Sequence, residues 1–149
     1  MPRDTDTRSA LEKDAEILRV LIRHENDLTN HRTTWLLVSQ GILFAAAAAF
    51  VKIHWFPAVV VGAVGIILAA SIGQSLKNSY EARQSFKKSW WPQRLASTGY
   101  DAQDFPPLDG GVSGVSAIKW LFPWFVIPIT LITAWGILIA FFLCGPSVA

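Results

Sequence analysis

Three stretches of this chain carry no Asp, Glu, Lys or Arg: Thr33 to Val51, Trp55 to Leu76, and Trp120 to Ala149. The first two are 19 and 22 residues long, and an α-helix needs about 20 apolar residues to cross a hydrocarbon layer of about 30 Å. The third supplies a core of 24 residues, Trp120 to Leu143, before Cys144, Gly145 and Pro146 provide a helix stop. Three such runs in 149 residues leave too little polar surface to cover them in water. The expected fold class is therefore an all-α integral membrane protein with three transmembrane helices. Composition agrees, since 16% of the residues are charged against about 25% in a soluble domain. A soluble globular enzyme is not expected. Pro123 and Pro128 should bend the third helix, because each removes a backbone donor and clashes with a preceding carbonyl.

Organisation follows from these spans. Residues 1–32 hold six basic and seven acidic side chains, so they do not read as the apolar core of a cleavable signal. Helix 1 (33–51) should be an uncleaved anchor. Only Lys52, Ile53 and His54 connect it to helix 2 (55–76), and Pro57 falls in the first turn of that helix, where a proline fits. The two should form a tight antiparallel hairpin. Residues 77–119 form a loop, 120–143 helix 3 and 144–149 a short tail. Basic residues number 6 before helix 1, 1 in the turn, 6 in the loop and none in the tail. Positive charge stays on the cytoplasmic side, which places the N-terminus and loop inside a cytoplasmic (inner or plasma) membrane and the C-terminus outside. Trp35, Trp90, Trp91, Trp120 and Trp124 then lie near the inner interface and Trp55 near the outer one. Only Trp135 lies deep in a span, where its N–H needs a partner.

Between Ser9 and Arg32 there is no Gly or Pro, and Ser9 precedes Glu12 by three residues as in a capping box. A cytoplasmic helix should begin at Ser9. Leu11, Leu18, Leu21 and Leu28 stand at heptad spacings interrupted by Asp14 and Glu25, which suits an amphipathic helix on the protein or on lipid heads, or packing between subunits. Nothing breaks the helix before Trp35, so it should continue into helix 1. Its junction, His24-Glu25-Asn26-Asp27-Leu28-Thr29-Asn30-His31-Arg32, needs water, headgroups or partner side chains. The segment Lys77 to Trp91 reads as a basic, aromatic extension of helix 2 closed by Pro92. Arg83, Lys87, Lys88, Trp90 and Trp91 suit an anionic lipid leaflet, each surface cation contributing about 1 kcal/mol. Residues 96–114 read as an irregular linker, with Ser113 or Ser116 capping helix 3.

Chemistry is sparse. A net charge of +2 gives no electrostatic case for nucleic acid, and one cysteine, Cys144, excludes an intrachain disulfide, a four-thiolate zinc site and a CxxC pair. No GxSxG, HExxH, P-loop or GxGxxG pattern occurs, so neither an enzyme nor a cofactor is expected. His24, Asp27 and His31 share a helical face and form a weak metal candidate, although three residues on one helix rarely complete a site. The polar residues inside the spans carry more information. Ser39 and Gln40 in helix 1 and Ser71 and Gln74 in helix 2 avoid lipid where they can. The two glutamines bond each other within a monomer or ring a polar path in an oligomer. Ala45 to Ala49, with Gly62, Gly65, Ala69 and Ala70, gives small faces for close packing within the hairpin or between copies.

The layout of cytoplasmic helix, membrane hairpin and basic helix, over roughly residues 9 to 91, resembles the two-span effector modules called SLATT found beside bacterial nucleotide-signalling genes. The resemblance lies in architecture, not in a motif. No residue role is carried over, and helix 3 departs from the pattern. Two function classes follow from the residues. One is a small homo-oligomeric pore or ion channel, with Ser39, Gln40, Ser71 and Gln74 facing the axis and His24, Glu25, Asp27, His31 and Arg32 at its cytoplasmic mouth. The other is a nonconducting membrane scaffold or partner subunit whose cytoplasmic helices hold another protein.

Overall fold

In the computed structural model the described residues are 5–51, 53–108 and 123–144, with the side chains of Pro123 and Trp124 excepted. They are helical, with no strand among them. The elements are α1 (Thr5–Val51), α2 (Trp55–Ser85), a π-helical turn (Phe86–Trp90), α3 (Trp91–Ala96), a 3₁₀ turn (Ala102–Asp104) and α4 (Pro123–Cys144). Three helices are long and apolar enough to cross a membrane: α1, α2 with its continuation to Ala96, and α4. The expected start of helix 3 at Trp120 and its caps Ser113 and Ser116 lie outside the described residues.

Helix α1 is continuous over 47 residues. Ser9 does not cap it. The helix already runs from Thr5, and the Ser9 hydroxyl donates to the Asp6 carbonyl at 2.9 Å while Glu12 pairs with Arg8 at 3.1 Å. Its buried positions Leu11, Ala15, Leu18, Ile22, Thr29, Leu36, Gln40 and Ala47 lie close to whole turns of 3.6 residues apart, so one straight stripe is buried. Leu11 and Leu18 belong to it. Leu21, expected on the same seam, is exposed with Ile17 and Val20, because at 3.6 residues per turn it stands roughly 80° round the helix from the stripe through Leu11. Three residues turn the chain into α2. The Ile53 and His54 amides both donate to the Phe50 carbonyl at 2.9 Å, and His54 Nδ1 accepts from the Phe56 amide at 3.2 Å, satisfying one donor of the new helix.

The chain divides into two compact units. One takes the described residues of Met1–Thr29 and Asn78–Ser116, the other those of Asn30–Lys77 and Ala117–Ala149. The first unit has its own core of Leu11, Ala15, Leu18, Trp91, Leu95, Tyr100 and Phe105. Trp91 meets Phe105 edge to face at 5.5 Å, and Tyr100 meets the same ring at 5.8 Å. Of the expected linker, residues 96–114, those described after Ala96 are irregular apart from the 3₁₀ turn, yet Tyr100 and Phe105 are buried, and residues 109–114 lie outside the described residues. Asp14 and Arg94 pair at 2.9 Å beside this core, and Arg19 donates to the Pro106 carbonyl at 3.3 Å.

The π turn decides which tryptophan enters that core. Along α2, Ser79 and Arg83 are buried, and an uninterrupted α-helix would bring residue 90 to the same side two turns after Arg83. The wider π turn inserts one residue. Trp91 is accordingly 5% exposed and Trp90 44%. Pro92 does not close the element either. It sits at the first turn of α3, where its missing N–H costs nothing, and helix continues to Ala96. Trp91→Ala should therefore cost about 3–5 kcal/mol of stability, and Trp90→Ala under about 1 kcal/mol, in denaturant titrations of the detergent-solubilised chain. Equal losses would contradict the register assigned to the π turn.

Candidate functional site

An amide or indole N–H in an apolar span has no water to bond, so its partners must come from the protein. The second unit resolves this at one point. Gln40 of α1 is 1% exposed, and so is Trp135 of α4. The Trp135 indole N–H donates to Gln40 Oε1 at 2.6 Å, and Gln40 Nε2 donates to the Gly65 carbonyl of α2 at 2.9 Å. One side chain of α1 therefore bonds to both of the other long apolar helices. Phe44, one turn along α1 from Gln40, stacks on the Trp135 ring at 4.1 Å with planes 2° apart.

The glycines of α2 make room for this contact. A Cβ added at Gly65 would lie 2.4 Å from Trp135 Nε1, one at Gly62 would lie 3.0 Å from Trp135 Cε3, and one at Gly73 would lie 3.0 Å from the Pro128 ring. Ala47, Ala58 and Trp135 form the buried cluster, packed by Leu43, Phe44, Val61 and Leu138. The small face made by Gly62, Gly65, Ala47 and Ala69 thus packs within one chain. Gln40 and Gln74 do not bond each other. The register of α1 against α2 puts Gln40 opposite Gly65, and Gln74 lies nine residues further along, about 13 Å at 1.5 Å per residue. Ser71 and Gln74 are exposed on α2, while Ser39 is half-buried with its hydroxyl on the Leu36 carbonyl at 2.9 Å.

The remaining candidates are distributed differently from their grouping in the sequence. His24, Asp27 and His31 are exposed on α1, and no three His, Cys, Asp or Glu side chains among the described residues are grouped to hold a metal ion. Glu25 and Arg32 are half-buried. Glu25 faces Arg83, a residue expected at lipid headgroups. Arg83 is instead buried and donates to Asn26 Oδ1. Burial lowers its pKa from the ordinary guanidinium value, and the charges of Glu25 and Tyr80 oppose that shift. Trp91 is likewise withdrawn into the core, while Lys88 and Trp90 remain exposed and Lys87 is half-buried. The exposed part of that group is accordingly smaller than its composition suggests.

No protein-family model, curated protein or solved structure matches this chain. The site therefore rests on its own geometry. It contains no nucleophile paired with a base among the described residues, and its central atoms are all engaged in holding helices.

Gln40→Leu strands the Trp135 N–H and should destabilise the second unit by about 1–2 kcal/mol, with Trp135→Phe in the same chain cancelling part of that loss. Gly65→Ala should be worse than Gly41→Ala, since nothing lies within 4 Å of a Cβ at Gly41. Unfolding by graded SDS addition, followed by tryptophan fluorescence, measures both. A neutral Gly65→Ala would refute the close approach of α2 to Trp135.

Proposed function

We propose that this chain is a nonenzymatic membrane scaffold or partner subunit, with a three-helix membrane anchor and a helical module that binds another protein in the cytoplasm. The observation that carries the reading is the engagement of Gln40. A residue lining a conducting path must present its polar atoms to water or ions, whereas both ends of this amide are bonded within the anchor, to Trp135 and Gly65. Its polarity serves helix assembly. The first unit supports the other half of the reading. It has a core of its own, and Ile17, Val20 and Leu21 remain exposed on α1, an apolar strip of the kind a partner helix covers.

The pore reading keeps one specific support, the exposure of Ser71 and Gln74 on α2. Purified chain in liposomes separates the two readings. The scaffold is expected to pass no ions under varied voltage, pH and divalent cations, and Gln40→Leu is expected to lower the yield of folded chain. Ion flux that Gln40→Leu reduces at unchanged folded yield would overturn it.

Orientation belongs to the same proposal: N-terminus and module inside, C-terminus outside, on the 6, 1, 6, 0 distribution of basic residues. Cys144 is exposed and is the only cysteine. A membrane-impermeant maleimide added to intact cells should label it. Labelling that requires permeabilisation would reverse the assignment.

A further inference from the structure

The turn between α1 and α2 gathers large apolar side chains at one end of the second unit. Phe50 and Val51 at the close of α1, Ile53 in the turn, and Trp55 and Phe56 at the start of α2 are all exposed, Ile53 to 83%. Trp55 meets Phe56 edge to face at 6.0 Å and stacks on His54 at 5.9 Å, so the rings form one tip. Water is a poor medium for such a cluster.

Three features identify a better one. The first is length. The charge-free stretches that lead to the turn, Thr33 to Val51 and Trp55 to Leu76, are 19 and 22 residues long, about 28 and 33 Å at 1.5 Å per residue, and a hydrocarbon layer is about 30 Å thick. With Arg32 and Lys77 on one side of that layer, the two helices reach its other boundary at the turn and have little length left to rise above it. The second is backbone. The Ile53 and His54 amides share the Phe50 carbonyl at 2.9 Å, the Phe56 amide donates to His54 Nδ1 at 3.2 Å, and Pro57 has no N–H. Few donors of the turn therefore need water. The third is charge. No Asp or Glu occurs between Asp27 and Glu81, and the one charge of the turn, read from the sequence since Lys52 lies outside the described residues, is positive. That sign complements lipid phosphate. Indole and imidazole, each with an apolar body and a polar edge, suit the level between headgroup and acyl chain.

We propose that the hairpin tip is a lipid-binding element that ends in the headgroup–acyl boundary of the far leaflet, with Phe50, Ile53, Trp55 and Phe56 inserted among the lipids. The proposal rests on the membrane anchor of the proposed function, and on neither its cytoplasmic partner nor the pore alternative. A protein on the far side would find no free surface at this turn.

Spin labels on single cysteines of the full-length Cys144→Ala chain, in phosphatidylcholine vesicles, measure depth from collisions with oxygen, which enriches in hydrocarbon, against collisions with a water-soluble nickel chelate. Ile53→Cys is the test position. Ile42→Cys, exposed midway along the charge-free part of α1, and Gln103→Cys, exposed in the 3₁₀ turn, supply the hydrocarbon and water references. The label at 53 is expected between them, at the level of the lipid phosphate and ester groups. Trp55→Ser combined with Phe56→Ser should raise its nickel collisions several-fold and leave the label at 42 unchanged. A label at 53 as open to nickel as the one at 103 overturns the proposal and frees the turn for water or a protein. One as deep as the label at 42 also overturns it, since the hairpin then stops short of the far boundary. Unchanged depth in the double serine variant does so too, because the rings then hold nothing. A label at 42 open to nickel refutes the membrane anchor itself, and the tip with it.

Discussion

A hydrogen-bonding side chain buried among apolar helices commits those helices to one another, and in this protein the amide of Gln40 makes that commitment. It accepts from Trp135 and donates to the Gly65 carbonyl, so its loss would disturb the contacts of α1 with both other apolar helices. In water such bonds exchange with solvent and contribute little net free energy. In a lipid environment van der Waals packing and such bonds have to drive helix association, since the tails are as apolar as the side chains. The Phe44–Trp135 stack and the cleared space at Gly62 and Gly65 make sense as the packing that this bond requires. An indole reaches an amide on a neighbouring helix only where the third helix has no side chains in the way.

The first unit depends on packing of the opposite character. Its core is aromatic and aliphatic, its ion pairs lie at the edge, and its buried cation Arg83 is bonded to Asn26 and faces Glu25. Here the decisive element is a backbone irregularity. The π turn at Phe86–Trp90 shifts the inward side of the helix by one residue and so selects Trp91 over Trp90. A five-residue change in hydrogen bonding thus determines which of two adjacent and chemically identical side chains becomes core.

The number and apolar character of the long helices were legible in the sequence because they depend on runs of residue type alone. The continuity of α1 through the polar junction was legible for the same reason, there being no Gly or Pro between Ser9 and Arg32. What the sequence left open depends on register between helices. Trp135 announced that it needed a partner, but nothing pointed to Gln40, which was paired with Gln74 or with a polar path, until the offset of α1 against α2 and α4 was known. Arg83 and Trp91 read as surface residues because a basic, aromatic composition is the same whether its members face lipid or a core. The signal that could have placed Arg83 was the crowded polar junction around Asn26, which called for partner side chains without naming them. Ser9 and Pro92 misled for a simpler reason: each is a terminus signal that is also tolerated inside a helix or in its first turn, and local chemistry alone does not distinguish the two.

The two glutamines show how far position outweighs identity. Both stand in apolar segments, yet one is withdrawn from every solvent and the other is exposed. A buried, doubly bonded amide contributes specificity, because a slipped register would leave the Trp135 N–H unsatisfied, a cost of about 1–3 kcal/mol. The exposed amide of Gln74 is not placed to do this, since nine residues of α2 separate it from Gly65. Residue identity therefore assigns neither glutamine its role. The offset of α1 against α2 and α4 does, by setting Gln40 beside the Gly65 carbonyl and the Trp135 indole that complete its bonding.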